Sequence, residues 1–194
     1  MNNESKICFV TGNQHKFQEA KKILSEYGLN LEMVKAKMLE IQNNDIMTIA
    51  VTSIKEAHTR VSGPIIVEDA GLFIKQLNDF PGPYSAYVYQ TLGCKGILKL
   101  LEGQVDRDAE FRSAVAYTDD AIMPSVKIFL GIVKGKISVK VCGKQGFGFD
   151  PIFMPEELNK TFGEIRLEQK SKYSHRAMAL KEFASWYLGD TILT

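Results

Sequence analysis

The chain has 194 residues, 45% of them hydrophobic and 24% charged, a balance that supplies a real core and argues against disorder. Its 24 Lys and Arg stand against 23 Asp and Glu for a net charge of +1, so no global field draws in nucleic acid or an anionic membrane, and any polyanion must be gripped locally. Three scattered cysteines (Cys8, Cys94, Cys142) without a CxxC pair make neither a disulfide framework nor a zinc site, and no apolar run approaches the ~20 residues that cross a bilayer.

The first residues, MNNESKICFVTGN, hold no apolar stretch suited to a secretion signal, so a cytoplasmic protein is expected. Lys6 to Thr11 is a short apolar run closed by Thr-Gly-Asn, which predicts a buried strand ending in a turn. Phe17, Ala20, Leu24 and Tyr27 then share one face of a helix that Gly28 stops, with Lys, Glu and Gln opposite. Leu31 to Lys35 reads as a second strand. Ile46, Ile49, Ala50, Ser53, Ile54, Ala57 and Val61 give a second helix, ending before Gly63-Pro64. Pro64 to Glu68 is a third strand.

The middle changes character. Phe80-Pro81-Gly82-Pro83 predicts a loop or sharp turn, and Gly96 to Leu101 a short helix. Phe111 to Thr118 and Ser125 to Val133 are strands, Lys134-Gly135-Lys136 a turn, and Ile137 to Val141 a returning strand. Gly143 to Asp150 is rich in glycine. A last helix starts near Ser174 as N-cap, with Ala177, Leu180, Ala184 and Tyr187 on one face. The order βαβαβ, then hairpins, then helix predicts a single α/β domain built on a long, twisted, mixed sheet flanked by helices.

In open sheets, sites gather at strand carboxyl ends, where Thr11 to Lys16 and Glu68 to Gly71 are expected. In Thr11-Gly12-Asn13-Gln14-His15-Lys16 a helix N-terminus offers backbone N–H groups to phosphate, Gly12 permits close approach, and Lys16 adds a full charge one turn in. An ordinary strand-to-helix junction with a capping Asn uses the same residues. Val67-Glu68-Asp69-Ala70-Gly71 sets two carboxylates side by side on a strand, where alternation lets only one enter a given cleft. Such a carboxylate suits Mg²⁺ or a proton from water, and equally a solvated turn. Glu40, in Leu39-Glu40-Ile41-Gln42, is a second candidate ligand or a loop acid. Gly146-Phe147-Gly148-Phe149-Asp150 places an aromatic between glycines, suited to a flat ligand or to core packing. Lys170, His175 and Arg176 cluster cations where a helix begins, an unfavourable end for them unless an anionic or carbonyl-rich partner is present.

Together and in order, TGNQHK, LEIQ, VEDAGL, FPGPYSAY, GFGFDPIF and the KxxxSHR pattern resemble the inosine triphosphate pyrophosphatase (Ham1-like) family, over nearly the whole chain. The resemblance implies two α/β lobes around a central cleft, a homodimer, and Mg²⁺-dependent hydrolysis of ITP, dITP and XTP to the monophosphate and pyrophosphate. It implies that Thr11, Gly12, Asn13 and Lys16 grip the triphosphate and that Glu40 and Asp69 hold the Mg²⁺. Asp69 would also accept the proton of the attacking water. Phe147 would stack on the base, with Ala70, Gly148, Phe149, Asp150, Lys170, His175 and Arg176 contacting or orienting the nucleotide. Ala70 stands where the family often has Ser or Thr, and Phe149 where it usually has Tyr or Trp. A related pyrophosphatase for modified pyrimidine triphosphates, or a non-catalytic nucleotide sensor, are the competing readings.

Overall fold

The computed structural model describes residues 6–36 and 41–189. Its strands are β1 (Ile7–Val10), β2 (Leu31–Val34), β3 (Ile65–Ile74), β4 (Phe80–Gly82), β5 (Asp108–Thr118), β6 (Lys127–Ile137) and β7 (Phe153–Pro155). Its helices are α1 (Gln14–Ser25), α2 (Ile46–His58), α3 (Ser85–Thr91), α4 (Gly93–Leu100), α5 (Leu167–Tyr173) and α6 (His175–Tyr187). The strands form one mixed sheet in the order β2-β1-β3-β5-β6-β7, with β4 on β3. β1 runs parallel to β2 and β3, whereas β3–β4 and β6–β7 are antiparallel. None of the described helices is long and apolar enough to cross a membrane.

The chain divides into two compact units. The first comprises the described residues up to Asp69, Ser113–Gly131, and those from Arg176 onward. Its core joins Ile7, Phe9 and Ile66 of the strands to Ala20, Ile23 and Leu24 of α1 and Leu180, Phe183 and Ala184 of α6. The apolar spacing on α1 predicts this contact, with one exception: Glu19, assigned by its charge to the solvent face, is buried. The second unit, Ala70–Arg112 and Ile132–His175, packs Leu72 and Ile74 against Ile97, Phe111, Val133, Ile152, Phe153 and Phe162.

Several elements differ from expectation, each for a packing reason. β3 runs on six residues past the predicted Glu68 boundary, so Glu68 and Asp69 lie mid-strand and not at its carboxyl end. Gly71 permits this, because a Cβ there would stand 2.2 Å from the Gly82 carbonyl oxygen on β4. Phe80-Pro81-Gly82, expected as a loop, is that short edge strand, where Pro is tolerated. The Lys134-Gly135-Lys136 turn does not form: β6 continues to Ile137, and no strand follows over Val139 to Val141. Gly135 faces β7, and a Cβ there would lie 2.3 Å from the Met154 carbonyl oxygen and 2.9 Å from Pro155 Cα. Since backbone cannot yield cheaply, Gly135→Ala is expected to cost about 1–3 kcal/mol, read as a fall of roughly 2–10 °C in the thermal midpoint. α3 and α5, short and without an apolar stripe, carry no periodic signal in the sequence; only Val88 is buried on α3.

Candidate functional site

The turn after β1 is locked by local hydrogen bonds. Thr11 Oγ1 accepts the Asn13 N–H at 3.1 Å, and Asn13 Oδ1 accepts the N–H groups of His15 at 3.0 Å and Lys16 at 3.2 Å. Asn13 therefore is the N-cap, satisfying two donors that a helix mouth would otherwise offer to an anion. The Thr11 hydroxyl, the Asn13 side-chain amide and Lys16 stand at this mouth. Gly12 is exposed, and a Cβ there would meet nothing within 4 Å. Nothing in the fold itself requires glycine at that point.

Lys16 reaches across to β3. Its Nζ lies 2.9 Å from Glu68 Oε2 and 3.3 Å from the Glu68 carbonyl oxygen. The Glu68 side chain is 1% exposed, against 18% for Lys16. Glu68 Oε1 receives the Ser113 hydroxyl at 2.7 Å and faces Arg176 Nη2 at 3.0 Å. The Arg176 Nη1 group donates to Glu19 Oε2, and both side chains are buried. Burial alone would raise the Glu68 pKa, but Arg176 and then Lys16 outweigh it and hold the carboxyl well below the usual carboxylate range. Burial likewise pulls Arg176 down, and Glu68 and Glu19 reverse it, so the guanidinium stays charged. The four side chains alternate in sign, Glu19, Arg176, Glu68, Lys16, from the core of the first unit to the mouth of α1.

This departs from the sequence-based expectation in two ways. Arg176, expected to face the nucleotide, is turned toward Glu19 and Glu68. Glu68, which the sequence could not distinguish from its neighbour Asp69, is the carboxylate that holds Lys16. Glu19 and Ser113 carry no motif that marks them as site residues in the sequence. The one available signal for Glu19 was its position three residues after Lys16 and four before Ile23, on the buried side of the helix.

In the second unit, Gly146 (φ +72) lies so close to Asp150 that a Cβ would be 2.0 Å from Oδ2. Asp150 Oδ2 accepts the Phe147 N–H at 2.8 Å and Lys170 Nζ at 2.6 Å. Lys170 Nζ is also 4.9 Å from the Phe147 ring centroid and 5.5 Å from that of Phe162. The structure thus gathers Phe147, Gly148, Asp150 and Lys170 into one cluster, with Phe147 half-buried and the Asp150–Lys170 pair buried. His175 is buried and stacks on Phe111 at 4.6 Å and 13°. Phe149, expected among the ligand contacts, sits in the core edge-on to Tyr89 at 5.4 Å. Cys94 nearby donates to the Gly148 carbonyl oxygen at 3.5 Å, and burial, with the Asp150 charge, pushes its thiol up to about 11.

Glu40 lies outside the described residues. Among those described, no group of three or more His, Cys, Asp or Glu side chains could hold a metal ion. Mg²⁺ does not need one: it is commonly bound by one or two carboxylates, water and substrate phosphates. Asp69, half-buried on β3, is a donor of the right hardness, whereas Glu68 already faces two cations.

The fold makes this a mixed-sheet α/β protein with a lysine-bearing strand-to-helix turn set against the buried Glu68 carboxylate. The Ham1 family profile matches residues 7–186. The dITP/XTP pyrophosphatase of Methanopyrus kandleri is 47% identical over 182 residues, 94% of this chain and 96% of that one. The dITP/XTP pyrophosphatase of Methanothermobacter marburgensis is 48% identical over 182 residues with the same coverage. Among solved structures, the Staphylococcus aureus Ham1 protein superposes with a TM-score of 0.80 at 26% identity, covering 96% of this chain and 100% of that one. A HAM1 protein from Coxiella burnetii gives 0.83 at 25% identity, covering 95% and 99%. This chain belongs to the Ham1 family.

Proposed function

We propose that this protein is a nucleoside triphosphate pyrophosphatase that hydrolyses ITP, dITP and XTP to the monophosphate and pyrophosphate, clearing them from the nucleotide pool. Its archaeal relatives carry dITP and XTP in their names, and it aligns with them over nearly its whole length. The observation that carries the chemical reading is the mouth of α1. A lysine whose side chain is partly exposed is fixed there by Glu68, whose chain neighbour is Asp69, with open space in front of Gly12.

In this reading Thr11, Asn13 and Lys16 bind the triphosphate. Asp69 accepts a proton from water as the water oxygen bonds to the α phosphorus. The bond from that phosphorus to the α–β bridging oxygen breaks, and its electron pair leaves with pyrophosphate. Lys16 offsets the negative charge growing there. Asp69, with Glu40, would hold Mg²⁺, which when bound supplies further charge neutralisation on the phosphate oxygens. Phe147 offers a face for the base, and His175 carries an N–H donor suited to a purine 6-oxo group. Adenine would present its own 6-amino donor to that group, an unpaired contact that discriminates by about 10⁴-fold where the site is dry. The resemblance also supports a homodimer acting in the cytoplasm.

A panel of ITP, dITP, XTP, ATP, GTP and dUTP, with and without Mg²⁺, tests this by phosphorus NMR of the products. Pyrophosphate and monophosphate from the inosine and xanthosine substrates, in Mg²⁺ alone, are expected. Orthophosphate as first product, or a preference for dUTP, would overturn the assignment.

A further inference from the structure

We infer that Glu68 is a positioning residue for Lys16, and that Ser113 and Arg176 set Glu68 in turn; this rests on the proposed pyrophosphatase reading. An ammonium has three N–H donors on a flexible stem. Among the described residues, the partners of the Lys16 ammonium are both on Glu68: the carboxylate at 2.9 Å and the carbonyl oxygen at 3.3 Å. Two donors held by one residue leave a third for a phosphate oxygen. The side chain is still 18% exposed, so a ligand can reach it.

Glu68 is itself fixed. Its carboxylate is anchored at Oε1 by the Ser113 hydroxyl at 2.7 Å and by Arg176 at 3.0 Å, which leaves Oε2 to Lys16. Arg176 is held from its other side by Glu19. Glu68 is buried and shares the Arg176 guanidinium with Glu19, and Lys16 is the second cation its charge faces. That pairing pins the ammonium to the mouth of α1, because a buried carboxylate short of a cation is costly. Loss of the Glu68 charge releases Lys16 to its many rotamers.

A double-mutant cycle separates the two roles. Lys16→Met, Glu68→Gln and the double variant are compared by kcat/KM for ITP and by calorimetric binding of ITP without Mg²⁺. Glu68→Gln is expected to lower kcat/KM by about 10–100-fold. In the Lys16→Met background the same change is expected to do nothing further, since the group it positions is gone. Equal, additive losses in both backgrounds would overturn the inference and leave Glu68 a structural ion-pair partner. Ser113→Ala keeps all four charges and serves if Glu68→Gln does not fold: a loss of at least about threefold is expected, again absent without Lys16. A Ser113→Ala loss that persists with Lys16→Met would overturn the inference by itself. A wild-type protein that neither binds nor cleaves ITP would overturn the functional reading and this inference with it. Normal wild-type turnover with an additive cycle would overturn only the latter.

Discussion

The Asp69→Asn protein is expected to bind ITP within a few-fold of wild type yet lose at least about 10³-fold in kcat. Asparagine keeps the size and shape of the side chain and removes only its capacity to accept a proton and its charge. The strand that carries it is secured independently, by Glu68 through Lys16, Arg176 and Ser113 on one side of the substitution and by Gly71 against β4 on the other. Glu68 cannot take over, since strand alternation sets neighbours on opposite faces and its carboxylate is committed to two cations. Single-turnover pyrophosphate release alongside calorimetric binding checks this. Wild-type turnover in the variant would remove Asp69 from the reaction.

The second large effect is on stability. Arg176→Met is expected to cost about 3–5 kcal/mol at pH 7.5, because it removes the buried guanidinium that the Glu19 and Glu68 carboxylates share. Its pH dependence has a definite sign. In the wild type the Glu68 pKa is depressed below its ordinary value of 4.5, so its contribution is complete above that value and fades as pH falls toward the folded-state pKa. Without Arg176 the largest influence that lowers it is gone, so the folded-state pKa moves back up and less stability is lost as pH falls. The gap between variant and wild type should therefore narrow from pH 7.5 to pH 4. Urea denaturation at both values measures it; a gap that widens toward acid would contradict the assigned charges.

Much of the fold could be read from the sequence where apolar spacing was regular: β1, α1, α2 and α6 lie where their buried faces predict. What escaped was set by close approach between strands. Gly71 and Gly135 look like turn residues in one dimension, and only the neighbouring backbones of β4 and β7 explain why they sit inside strands. The site was legible as a set of segments and less so as a set of contacts. Arg176 and Phe149 occupy motif positions that sequence assigns to the ligand, yet the first pairs with buried acids and the second packs on Tyr89. Charge type does not reveal whether a partner is internal, which is also why Glu19 passed for a surface residue.

In the proposed reading, the hydrogen-bonded turn from Thr11 to Lys16 bears on how tightly a flexible polyphosphate is held. Association sacrifices rotational and translational freedom, and each loop that must also be ordered adds to that loss. Here the turn's backbone is already tied by its own Asn13 and Thr11 side chains. In that reading the ordering of this turn adds little to the entropic penalty of binding.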